Sequence, residues 1–224
     1  LLALMLLGTV VRADTADNER VLEKFLQDVG KFDRFTVDFL QENTNVTTGY
    51  RMKGSGFLRV EKPDKYIWKY TSSPENIIVC DGKFTVMVLP ETEQIMFDSA
   101  DRIEGFWSPV SVLTDGRLKE IFAVGQTDET AGSITYRLTP ISPDERFEYL
   151  ELTILKSGDI GAFELAVIDA SGNQNRLSFS SLRNTETRTG IEIPEIPSAY
   201  DITDFQGHPR NPGVLKRRVT ENEN

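Results

Sequence analysis

The chain of 224 residues contains one cysteine, Cys80, and one histidine, His208. A single cysteine excludes an internal disulfide, so the core must hold without a covalent cross-link. One His and one Cys cannot furnish a zinc site, a Cys–His pair or a Ser–His–Asp relay. Glycine-rich phosphate loops and a nucleophile elbow are also missing. The 35 Asp and Glu residues leave paired-carboxylate hydrolysis open, but no motif brings any two of them together. No catalytic residue, metal ligand or cofactor is therefore assigned, and the chain does not read as an enzyme. Cys80, in a predicted strand, reads as a small buried hydrophobe.

Positive charge is scarce as well. Against those 35 acids stand 25 Lys and Arg, a formal net charge of −10. A surface of that sign repels phosphates and anionic lipid headgroups, so nucleic acid is not an expected partner.

Long apolar runs are absent after the first thirteen residues. Those, "LLALMLLGTVVRA", have the apolar core and small terminal residue of a secretory signal peptide. The run is too short to span a membrane. Removing residues 1–13 takes away Arg12, leaving 24 basic against 35 acidic residues and a charge of about −11. The next residue is Asp14, where a lipid-anchored exported protein needs cysteine. The expected mature protein begins at Asp14, is soluble and is not tethered.

What remains is mostly strand rhythm. "DNERVLEKFLQDVG", residues 17–30, puts Val21, Leu22, Phe25, Leu26 and Val29 on one helical stripe, with Gly30 as a stop. The period then changes: Phe35, Val37 and Phe39 share one face of a strand. After a polar loop comes "GSGFLRVEKPDKYIWKY", where Gly54 and Gly56 suit a bend or bulge. Tyr66, Trp68 and Tyr70 aim three rings at one face, and Pro63 interrupts the approach to them. Asp81-Gly82 marks a hairpin, Pro90–Glu93 a further turn, and residues 94–98 a strand. These strands are apolar on both faces, with Phe84, Val86 and Val88 opposing Met87 and Leu89.

Ser108-Pro109 opens a short helix in the pattern, and "RLKEIFAVG" a further turn or two of helix. From residue 133 four strands follow at the spacing of a β-meander. "GIEIPEIPSAYDITDF" carries two prolines and suits only an edge. Residues 206–224 lack periodicity and read as a disordered tail. Apolar surplus on both faces fits a curled sheet with a hollow or a tightly packed sandwich, and periodicity does not separate these.

The order of these blocks resembles the periplasmic outer-membrane lipoprotein carrier family, LolA. Gly54 and Gly56, Lys62-Pro63, Tyr66 and Trp68, and Asp81-Gly82 carry the likeness, which extends over about residues 19–205. It implies an α+β fold: a strongly curved, unclosed antiparallel β-sheet, a half-barrel, with short helices covering an apolar concave face. The carrier domain would be residues 14–205. The resemblance implies a monomeric periplasmic chaperone that shields the acyl chains of lipoproteins and delivers them from inner to outer membrane. Its partners would be acylated lipoproteins, an inner-membrane release complex and an outer-membrane acceptor lipoprotein. Kindred half-barrels include carriers or sensors of other lipids or glycolipids and envelope-stress sensory domains.

The expected lipid cavity, of several hundred cubic ångströms or more, draws on Phe35, Val37, Phe39, Tyr66, Trp68, Tyr70, Val86 and Val88. Pro63 would bend the strand where lid and sheet meet. Lys62 stands where the family often has an Arg that latches the lid to helix carbonyls. An ammonium can donate to carbonyls but lacks the guanidinium fork.

Overall fold

The computed structural model describes residues 15–100, 118–142, 147–185, 190, 191, 194 and 199–211. The segment read as a signal peptide and the helix expected after Ser108 lie outside these residues.

Helix α1 spans Thr15–Gly30. Strands β1 (Arg34–Thr44), β2 (Arg51–Glu61), β3 (Lys65–Tyr70), β4 (Ile77–Asp81), β5 (Phe84–Leu89) and β6 (Gln94–Ser99) follow in turn. One helical turn, α2 (Leu118–Ile121), leads into β7 (Phe122–Glu129). Then come β8 (Ser133–Pro140), β9 (Tyr149–Leu155), β10 (Ala162–Ile168), β11 (Gln174–Asn184) and the short β12 (Asp201–Thr203). The helix read over "RLKEIFAVG" is thus only half right. From Phe122 the chain is extended, because its β-branched and aromatic residues pair with β8.

All twelve strands form one sheet, ordered β12-β6-β5-β4-β3-β2-β1-β11-β10-β9-β8-β7. Two meanders therefore leave a central seam, where β1 pairs antiparallel with β11. The other neighbours are antiparallel too, except β12, which runs parallel to β6. The terminal strands β12 and β7 do not pair with each other, so the strongly curved sheet is unclosed. This is the half-barrel expected from the sequence.

Pro63 does not bend a strand. It sits in the turn between β2 and β3, where Glu61 and Lys65 already face each other across the hairpin. A turn tolerates a residue without an N–H, and the aromatic strand begins after it. Of the bend or bulge that the two glycines suit, the bulge is not found. Registers through Gly54 and Gly56 are unbroken, so no bulge lies there. A Cβ on Gly56 would stand 1.9 Å from the Lys69 carbonyl oxygen and 2.9 Å from the Phe39 ring. Glycine is needed there for close approach of backbone and ring. The bulge falls instead on β11, where the register shifts beside Ser181, whose φ is +57°.

Two apolar clusters lie on opposite faces. The larger joins Leu22, Phe25 and Val29 of α1 to the concave face, from Ile78 on β4 across the seam to Phe122 on β7. The smaller holds Val86, Val88, Ile95 and Phe97 with Tyr200 and Ile202 against them. Residues 204–211 fold onto that same sheet edge: Asp204 N donates to His208 O, and Arg210 N to Ile202 O. Arg210 also reaches the buried Asp204 and Asp98 carboxylates, at 3.1 and 3.6 Å. The segment 206–211, read as tail, therefore belongs to the fold. Its polar His208 and Arg210 side chains pair with buried acids. Residues 212–224 lie outside the described part.

Candidate functional site

Six of the eight expected cavity residues come together on the concave face. Phe35, Val37 and Phe39 project from β1, and Tyr66, Trp68 and Tyr70 from β3. The Phe39 ring lies 4.9 Å from that of Trp68 and 5.2 Å from that of Tyr70. Across the seam, Trp68 meets Phe179 edge-on at 6.5 Å, and Phe179 stacks on Phe163 at 4.7 Å. Phe25 of α1 stands edge-on to Phe163 at 5.3 Å. Val37 has no solvent exposure and Trp68 only 7%, so the centre of this cluster is closed, with Tyr66 and Tyr70 partly buried at its edge.

Val86 and Val88 are not part of it. Trp68 pairs with Ile78 and Ile78 with Met87, which puts Met87 on the concave face. Its neighbours Val86 and Val88 alternate to the convex face and join the second cluster. Which face of an apolar strand turns inward depends on register with β3 and β4, and "FTVMVL" is apolar both ways. Sequence reasoning omitted Phe163, Leu165, Leu177 and Phe179, the far wall of the same face. Their alternation within β10 and β11 was visible, but the β1–β11 seam joining them to Phe39 was not.

Polar groups rim one end of this face. The Tyr70 hydroxyl donates to Gln41 Oε1 at 2.5 Å, and Gln41 Nε2 donates to Asn175 Oδ1 at 2.8 Å. Burial raises the Tyr70 pKa. Burial likewise pushes Tyr66 up to about 12, with the nearby Cys80 adding to the shift.

Helix α1 is fastened over the face at several points. Lys62 Nζ donates to the carbonyl of Gly30, the last residue of α1, at 3.0 Å. A cation there also meets the negative end of the helix dipole. The Tyr136 hydroxyl on β8 donates to the Asn18 carbonyl at 2.7 Å, in a buried setting. Lys119 of α2 pairs with Glu23 at 2.7 Å on the surface. Between α1 and the β9–β10 turn a cleft of about 60 Å³ opens beside Val21, Phe25, Ile154 and Ile160. It does not touch the residues expected to wall the cavity.

Among the described residues no group of His, Cys, Asp and Glu could hold a metal, and no helix is long and apolar enough to cross a membrane. Cys80 is buried, and its thiol donates to the Asp64 carbonyl at 3.1 Å. The concave face can pack apolar chains.

The family model for the outer membrane lipoprotein carrier protein LolA matches residues 30–190. That stretch covers both meanders and the seam between them. The chain belongs to the LolA family. An outer-membrane lipoprotein carrier protein of Bordetella avium is 25% identical over 176 residues, 78% of this chain and 82% of the relative. One from Neisseria meningitidis serogroup C is 27% identical over 149 residues, 66% of this chain and 70% of the relative. A solved LolA superfamily protein from Nitrosomonas europaea has a TM-score of 0.43 and 12% identity, over 75% of this chain and 94% of that one. LolA proteins form a carrier family rather than an enzyme family. The LolA match takes in Lys62 and the aromatic strand β3 but begins only at the last residue of α1.

Proposed function

We propose that this chain is a periplasmic carrier of lipid-modified proteins, taking them from an inner-membrane release complex to an outer-membrane acceptor. In this reading the concave face receives the acyl chains and α1 is the cover that must move. The observation that carries it is an aromatic face, continuous across the seam and covered in part by α1, in a chain of the LolA family. Each methylene exposed to water costs about 0.8 kcal/mol, so a multiply acylated protein needs such a face to cross an aqueous compartment. Polar contacts on the cover suit this task, because they break and re-form without loss of the apolar surface beneath. Lys62 holds the end of the cover nearest the sheet.

The test uses mature protein and a fluorescent triacylated lipopeptide presented in vesicles. The protein should draw lipopeptide into solution at one per chain, quench or shift the fluorescence of Trp68, and pass it to membranes bearing the acceptor. Failure to extract any lipopeptide rejects the carrier reading. Extraction of free glycolipid in preference to lipopeptide assigns a different cargo.

A further inference from the structure

Helix α1 is a strap laid across the half-barrel. From Gly30 to Asn18 is twelve residues, about 18 Å at the helical rise of 1.5 Å. From β1, which α1 leads into, to β8, which carries Tyr136, is four strand spacings, about 19 Å. The two lengths agree. The strap thus passes over β11, β10 and β9, and Leu22, Phe25 and Val29 press down on the cluster there.

The two ends of the strap are held differently. At Gly30 only residues 31–33 separate the helix from β1. Lys62 N donates to Asp33 O at 2.9 Å and Lys62 Nζ to Gly30 O, so this end is nailed to the β1–β2 hairpin. A three-residue link reaches at most about 10 Å, and its own bonds to Asp28 O and Val29 O shorten it further. Near Asn18, among the described residues, the strap is held by a buried hydrogen bond from Tyr136, which is 1% exposed and also meets the Leu22 amide. The Glu23–Lys119 pair nearby is half exposed on both sides and contributes little in water.

We infer that α1 opens by swinging about its Gly30 end, and that the Tyr136 hydroxyl on the Asn18 carbonyl is the clasp that governs acyl-chain loading. A bond at the pivot barely stretches during such a swing, whereas a bond 18 Å away must break at its start. Lys62, at the family's latch position, therefore holds the pivot and Tyr136 holds the moving end. The clasp can be released cleanly. The Asn18 carbonyl is also the acceptor for the Leu22 amide in a regular helix, so it keeps a partner when the hydroxyl leaves. The phenol gives up its contacts with the Asn18 carbonyl and the Leu22 amide and regains water.

This inference rests on the carrier reading, and the experiment separates the two. Tyr136→Phe removes the hydroxyl and keeps the ring. Amide hydrogen exchange over residues 18–26 should become about three- to tenfold faster, the loss expected for one hydrogen bond, while β1 and β2 exchange as in wild type. Loading of a fluorescent triacylated lipopeptide should accelerate by a similar factor. Lys62→Leu should speed exchange at residues 30–33 and leave residues 18–26 within twofold of wild type. If Lys62→Leu accelerates loading and Tyr136→Phe does not, the clasp is at Lys62 and the inference is overturned. Unchanged exchange at 18–26 in Tyr136→Phe overturns it equally. If no variant, wild type included, takes up lipopeptide, the carrier reading falls, and the exchange rates alone decide whether Tyr136 holds the helix.

Discussion

At the scale of single residues, burial turns polar side chains into markers of the folded state. Tyr66 and Tyr136 both have pKa values pushed up to about 12, first by burial; Cys80 adds to the first shift and Glu129 to the second. The neutral phenol is the form the fold favours, so their contribution to stability is complete below pH 10, the unfolded value. It is lost as pH rises toward 12. Phenolate absorbance should accordingly show late-titrating tyrosines, Tyr70 among them, and Tyr66→Phe and Tyr136→Phe should each delete one titrating toward 12. Their appearance near pH 10, the ordinary phenol value, would contradict the burial described. Cys80 has its thiol pKa raised, chiefly by burial, so thiolate is scarce and access poor. Native labelling by a thiol reagent should be slow and should become fast on unfolding. Lys62→Leu removes an exposed ammonium–carbonyl bond, on the order of 1 kcal/mol, and should leave Tm within a few degrees of wild type.

At the scale of elements, the β2–β3 hairpin has the least room for error. Gly56→Ala would drive a methyl group into the Lys69 carbonyl, which is backbone and cannot step aside. The expected cost is about 3 kcal/mol or more, read as a fall in the denaturant midpoint. Gly54→Ala meets only the Tyr70 ring, at 3.1 Å, and should cost clearly less because a ring edge can give. Equal effects would mean that the hairpin accommodates both methyls by the same shift. The β4–β5 hairpin shows how local grammar works. Asp81 Oδ1 accepts from both Lys83 N and Phe84 N at 2.8 Å, and Gly82 adopts φ +88°, so Asp-Gly marks that turn for a physical reason.

At the scale of the whole molecule, the two faces of one sheet have separate duties. The concave face packs under α1, and the convex cluster of Val86, Val88, Ile95 and Phe97 is covered by Tyr200 and Ile202. Ending the chain at residue 198 removes that cover together with Arg210, which faces two buried carboxylates. Such a protein should bind a hydrophobic dye and melt lower by about 5 °C or more, yet still take up lipopeptide on its concave face. Loss of lipopeptide uptake with the fold intact would show that the C-terminal segment belongs to the cargo site.

Much of this architecture is legible in the sequence by itself, because period is a local property. Alternation in "RFTVDF", the Asp-Gly hairpin, the meander after residue 133 and the helical stripe up to Gly30 all appear within windows shorter than a strand pair. So do the missing cysteines and histidines that remove metal and relay chemistry. Register, face and partner are not local. Only the fold sends Val86 and Val88 outward and Met87 inward, because a strand apolar on both sides has no preference until its neighbour is paired. Only the fold joins Phe39 to Phe179 across a seam 140 residues apart in sequence and sets His208 and Arg210, after Phe205, against buried acids. The Tyr136–Asn18 contact is of the same kind, since its two partners are 118 residues apart. A hydrogen bond over that distance has no sequence period to announce it; it exists because the length of a helix matches the span of four strands.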